Sequence, residues 1–110
     1  MADSTDPATS KVVRDDDKAR YEIWWGDELA GFAAFRQRGG RTIFVHTEIG
    51  DEFGGKGLGS ALAKGALDDV VRRGQLIVAV CPFIAAYLGK HPEYAEHVVN
   101  RDGGARRDDE

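Results

Sequence analysis

The chain has 110 residues, 42% hydrophobic and 31% charged, with a formal net charge of −4. That length supports one modest core and excludes two independent ones, and scattering Lys and Arg among a majority of acids removes the basic footprint that nucleic-acid backbone binding requires. No apolar run reaches membrane-span length, and the opening MADSTDPATS lacks the basic flank and apolar stretch of a secretory signal. From these features a soluble, cytoplasmic protein with no membrane or nucleic-acid partner is expected, and the single cysteine, Cys81, excludes an intrachain disulfide and leaves no second Cys at zinc-ligand spacing.

Residues 1–10 and 100–110 are small, polar or charged for the most part, and are expected to be disordered ends around one domain spanning 11–99. Strand patterns run from Lys11 to Arg14, Arg20 to Trp25, Leu29 to Gln37 and Thr42 to Ile49. Turns are expected at Asp15 to Lys18, Gly26-Asp27 and Gly39-Gly40. Four short strands joined by tight turns make an antiparallel meander.

The period then changes. Leu62, Ala63, Ala66, Leu67, Val70 and Val71 recur on one face of a predicted helix from Leu58 to Arg73, opposite charges spaced for i,i+4 pairs: Lys64, Asp68 and Arg72, then Asp69 and Arg73. Gly74 is placed to close that helix in the left-handed region. Leu76 to Cys81 is an apolar run too short for an independent helix and suits a strand buried on both faces. A right-handed crossover would lay it parallel to the fourth strand. Pro82 opens a second helix to about Lys90, and Pro92 blocks its continuation. The fold class is therefore α/β: a four-strand antiparallel meander, a helix, a parallel fifth strand and a C-terminal helix.

Between the fourth strand and the long helix lies GDEFGGKGLGS, with Gly50, Gly54, Gly55, Gly57 and Gly59 crowded together and no evident packing need for so many. Such a loop lets backbone N–H groups approach a ligand, and a helix N-terminus adds about half a positive charge, so phosphate is the natural guest. Lys56 can add a full charge. The mononucleotide pattern fails because Lys56 is followed by Gly57, and the dinucleotide pattern fails because Leu62 occupies its third glycine. A ligand-free flexible turn is the competing reading.

The same stretch resembles the pyrophosphate loop of the GNAT acetyltransferases. Gly57-Leu58-Gly59 supplies the loop's glycines, with Gly54 at the position where that family has Gln or Arg. HTE at His46 to Glu48, EFGGKGLGSALAKGAL, CPF at Cys81 to Phe83 and HPEY at His91 to Tyr94 come in the order of a short GNAT-like subfamily, and the resemblance covers Val12 to Val99. It implies acetyl-CoA as cofactor, with the loop from Gly54 through Gly55, Lys56, Gly57, Leu58 and Gly59 to Ser60 holding the pyrophosphate. It further implies a fifth strand that splays from the fourth, and backbone near Thr47 and Ile49 pairing with pantetheine. The thioester would lie near Cys81, with Pro82, Phe83 and Tyr87 on the cofactor side. Only the short DDDKA turn stands where larger members carry two helices, so the acceptor side is expected to be open.

Three groups are candidates for chemistry. Alternation puts His46 and Glu48 on one face of the fourth strand and Val45, Thr47 and Ile49 on the other. Either titratable residue can take a proton from an amine acceptor, or the two can serve as a hydrogen-bonded pair that orients the loop. Cys81, between a buried strand and a helix start, can be a nucleophile, a hydrogen-bond donor to a departing thiolate, or a small core residue. Tyr87 is a second proton donor by position, with core packing as its ordinary role. The resulting expectation is an N-acetyltransferase acting on a primary amine, set against a CoA-binding sensor with little turnover and a purely structural interaction domain.

Overall fold

The computed structural model describes residues 10–54 and 57–99; the remaining terminal residues, including most of the two expected disordered ends, lie outside that description. Five strands form one sheet in the order β1-β2-β3-β4-β5. They are β1 (Ser10–Asp15), β2 (Arg20–Trp25), β3 (Glu28–Arg38), β4 (Arg41–Ile49) and β5 (Leu76–Ala79). The first four pair antiparallel, and β5 joins β4 in parallel after helix α1 (Leu58–Arg72); helix α2 (Pro82–Lys90) follows β5. Gly26, Gly39 and Gly40 occupy the left-handed region in their turns, as such tight reversals favour. The first turn instead holds Ala19 at φ 53, where its carbonyl accepts the Phe35 N–H at 2.9 Å.

Cross-strand register assigns the two faces. Val12, Ile23 and Gly31 share one face, as do Tyr21, Ala33 and Thr47, and α1 packs its buried Leu62, Ala66, Leu67 and Val70 into this same core. Gly65 sits in the middle of α1 despite its cost in helix stability, because a Cβ there would stand 2.7 Å from Val12 Cγ2. The glycine is what lets β1 approach the helix. Alongside α1, α2 buries Ile84 in the same cluster. The opposite face carries Lys11, Val13, Glu22, Trp24, Phe32, His46 and Glu48. It stays open among the described residues, with the His46 and Glu48 side chains 57% and 61% exposed.

Several details depart from the pattern read in the sequence. The apolar run Leu76–Cys81 forms a strand only to Ala79, because Val80 and Cys81 both donate to the Phe44 carbonyl at 3.0 and 2.9 Å, which ends the ladder. The expected burial is partial: within β5 only Ile77 and Val78 are buried, Val80 just past its end is 40% exposed, and β5 is the last strand of the sheet, with a parallel bridge between Ile77 and Val98 beyond it. On α1, Arg72 bonds Asp69 at 2.6 Å instead of Asp68, whose other oxygen accepts the Tyr94 hydroxyl. Short 3-10 turns at Asp51–Phe53 and Pro92–His97 complete the chain path.

Candidate functional site

The site begins where two strands part. Register joins β4 to β5 only from Arg41–Leu76 to Phe44–Ala79, while β4 runs on to Ile49 with no strand on that side among the described residues. A β-bulge marks the same point, since Phe35 pairs with Phe44 but Ala34 pairs with His46, leaving Val45 without a partner. An extra residue of this kind bends the strand and resets its alternation. Thr47 and Ile49 thereby join Phe44 on the helix-covered face, and Val45 does not accompany them; it is 37% exposed. The bulge thus corrects the grouping of Val45 with Thr47 and Ile49. A mid-strand register shift has no signature in hydrophobic alternation.

Across the divergence, Thr47 Oγ1 lies 3.3 Å from Cys81 Sγ. Cys81 is the N-cap residue of α2 and only 2% exposed, and its backbone N–H is committed to Phe44. Its thiol is therefore a buried hydrogen-bonding group at the inner end of the cleft. On the opposite face, His46 Nε2 and Glu48 Oε2 stand 2.7 Å apart, and the His46 ring lies 6.1 Å from that of Phe32. The structure brings Thr47 and Cys81 together, and separately His46 and Glu48, with the strand between the two pairs.

The start of α1 lies close to the end of β4, since a Cβ on Gly59 would stand 3.8 Å from Ile49 Cγ1. Gly57 is the N-cap of α1 at φ 74, with no side-chain cap hydrogen bond, and a Cβ there would meet nothing within 4 Å. The first helical bond runs from Ala61 N–H to the Gly57 carbonyl, so the amides of Leu58, Gly59 and Ser60 have no partner inside the helix. Three convergent N–H groups at a positive helix end fit an anionic oxygen cluster. Gly54 closes the preceding 3-10 turn by donating to Asp51 at 3.2 Å, while Gly55 and Lys56 lie outside the described residues. Not every glycine is free for a ligand: a Cβ on Gly59 would stand 3.0 Å from Phe83 Cζ, and one on Gly50 would stand 3.2 Å from Phe53 Cδ2. Packing thus accounts for part of the glycine density that composition left unexplained.

Beyond Ser60, a hollow of about 130 Å³ is lined by Ser60, Phe83, Ala86, Tyr87, Lys90 and His91. Pro82 starts α2, Phe83 leans on Gly59, and Tyr87 stacks on His91 with centroids 3.9 Å apart and planes 18° from parallel. Burial pushes the Tyr87 phenol above its ordinary value, with nearby Lys64 pulling the other way, so it is a protonated donor at neutral pH. Lys90 and His91 were not assigned to the cofactor side from sequence. The available signal was the i,i+4 spacing of Tyr87 and His91 across the end of α2.

A five-stranded sheet whose fourth and fifth strands part before an uncapped, glycine-led helix defines an acyltransferase-like scaffold. Residues 20–98 match the family model described as GCN5-related N-acetyl-transferase, and the chain belongs to that family. It is 32% identical over 103 residues to Protein NATD1 of Xenopus tropicalis, covering 89% of this chain and 94% of that one. Protein NATD1 of Gallus gallus is 38% identical over 55 residues, covering 48% of this chain and 50% of that protein. Among solved structures, the NMR solution structure of a Staphylococcus aureus protein described as GCN5-like has the same fold, with a TM-score of 0.63 at 19% identity, covering 88% of this chain and 95% of that one.

Proposed function

We propose that the protein is an acetyl-CoA-dependent N-acetyltransferase acting on a primary amine. The observation that carries this reading is the parting of β4 from β5 beyond Phe44, with the amides of Leu58, Gly59 and Ser60, which have no partner within the helix, nearby and the Thr47–Cys81 contact at its inner end. Acetyl-CoA, when bound, supplies an activated thioester. The α1 terminus would hold its pyrophosphate oxygens, with Gly55 and Lys56 contributing from the rest of the loop. The unpaired edge of β4 around Thr47 and Ile49 would take up amide groups of the pantetheine arm, and Pro82 and Phe83 would flank it.

The chain's own contribution to the reaction is positioning and proton transfer. Glu48 Oε2, steadied by His46 Nε2, accepts a proton from the amine as it arrives on the open face. Cys81 Sγ and Thr47 Oγ1 offer hydrogen at the buried end of the cleft, where a leaving thiolate needs it. Direct transfer to a bound amine needs no covalent stop on Cys81, and we favour the donor role for that residue. The open face favours a large or protein-borne acceptor, because no helix walls it off among the described residues.

A CoA-binding sensor with little turnover is the second reading, favoured by the exposure of the His46–Glu48 pair, which leaves the proposed base poorly shielded from water. Calorimetric titration with CoA tests the cofactor assignment common to both: heat of binding in the wild-type protein and its reduction in Gly57→Val supports it, while equal affinity in two folded proteins removes the loop from the site.

A further inference from the structure

The two edges of the sheet are finished differently. Beyond β5 the chain returns, with the Ile77–Val98 bridge and the Val99 N–H donating to the Ile77 carbonyl at 2.9 Å. At the other edge, β1 has β2 on one side and no strand on its outer side among the described residues. It pairs with β2 from Ser10↔Trp25 to Asp15↔Arg20 without a register shift, whereas the β2–β3 and β3–β4 pairings each carry one. Neither proline nor bulge interrupts SKVVRD, so its outer N–H and C=O groups form a regular row of the kind that recruits another strand. Val13, at 37% exposed, adds an apolar side chain on the open face of that edge.

The charges along β1 favour a second copy of the same strand. Alternation puts Lys11, Val13 and Asp15 on the open face, while Arg14 on the helix-covered side is only 10% exposed and bonded to Asp16, Tyr21 and Gln37. A two-fold axis perpendicular to the sheet pairs two copies antiparallel, with residues of like face opposite one another. Centring that pairing on Lys11 or on Arg14 sets a cation against its own copy, and centring it on Val12 leaves Lys11 opposite Val13. Centring it on Val13 puts Lys11 opposite the partner's Asp15 at both ends and Val13 against itself. We propose that the protein self-associates through β1 in this last register, joining two five-stranded sheets into one. Both open faces then look to the same side, so the two His46–Glu48 pairs share one continuous surface. So short an interface places the association at the weak end of the range for specific contacts.

Sedimentation velocity over a concentration series up to the solubility limit tests this on wild-type protein, Lys11→Asp, Asp15→Lys and Val13→Lys. The wild type is expected to form a concentration-dependent dimer. Lys11→Asp and Asp15→Lys each set like charges opposite one another at both ends, and should each weaken the dimer by on the order of tenfold or more. An equimolar mixture of those two variants restores opposite charges at both ends and should dimerise as the wild type does. Asp15 also accepts the Lys18 N–H at 3.1 Å, so Val13→Lys, which places two cations at the two-fold axis, carries the test should Asp15→Lys fail to fold. A wild type that is monomeric at every concentration overturns the inference. So does a dimer that Lys11→Asp and Val13→Lys leave unchanged, or one that a mixture of the two folded charge variants fails to restore.

Discussion

Thr47 on β4 and Cys81 at the N-cap of α2 meet side chain to side chain at 3.3 Å, directly beyond the last register pair that joins β4 to β5. The contact ties the part of β4 that runs on past β5 to the start of α2. Both side chains can donate, and the thiol is 2% exposed.

For Cys81 the donor role predicts that acetyl-CoA without acceptor leaves no acetyl group on the peptide containing it, and that kinetics are not ping-pong. Cys81→Ser, which keeps a donor of similar size, should retain much of kcat, whereas Cys81→Ala loses more. Accumulation of an acetyl adduct on Cys81 in intact-mass spectra would reassign it as the nucleophile.

Glu48 should act on the amine and not on the cofactor. Replacing it by Gln keeps shape and hydrogen bonding to His46 but removes the acceptor of the proton. The expected loss is roughly 10²-fold in kcat or more, with CoA affinity unchanged. An unchanged rate in steady-state assays would return the exposed His46–Glu48 pair to a purely structural role.

The α1 terminus separates backbone strain from ligand contact. Gly57 has φ 74, so a β-branched residue there is strained by about 1–2 kcal/mol or more, while Asn tolerates the left-handed region. Gly57→Asn should therefore melt close to wild type and Gly57→Val clearly lower, with CoA affinity reduced in both by a side chain entering the anion's space. Thermal melts with and without CoA read both effects.

Acid stability should depend on Asp69. Burial pushes its carboxyl up, but hydrogen bonds from Tyr21, Arg73 and Arg72 outweigh burial and hold it below the usual carboxylate range. Because the folded value lies below the unfolded one, the stabilisation is complete above about pH 4 and lost as pH falls through the folded value. Asp69→Asn should cost about 1–3 kcal/mol at neutral pH and flatten the acid limb of a pH–stability curve. Tyr21, whose phenol burial and Asp69 push up to about 12, supplies the alkaline counterpart, losing its contribution between about pH 10 and 12. An unaltered acid limb in the variant would place the acid-sensitive group elsewhere.

Much of the fold was legible because its signals are local. Arg20–Trp25 and the start of α1 at Leu58 follow from alternation, helical period and glycine placement, and the structure has the same bounds. Long-range contacts were not legible: the Phe44 carbonyl that ends β5, the bulge at Val45, and the Val12 seat that requires Gly65. At the site, alternation alone paired His46 with Glu48. That Thr47 would meet Cys81, and Tyr87 would stack on His91, depends on how β4 and α2 are brought near one another and how α2 ends, which no period encodes.

The most direct test of the central claim is mass spectrometry of a panel of polyamines, lysine peptides and small folded proteins incubated with acetyl-CoA and the protein. An acetylated amine product is expected that requires the protein, is favoured on the larger acceptors and is lost in Gly57→Val. Saturating acetyl-CoA that yields no protein-dependent product on any amine would contradict it.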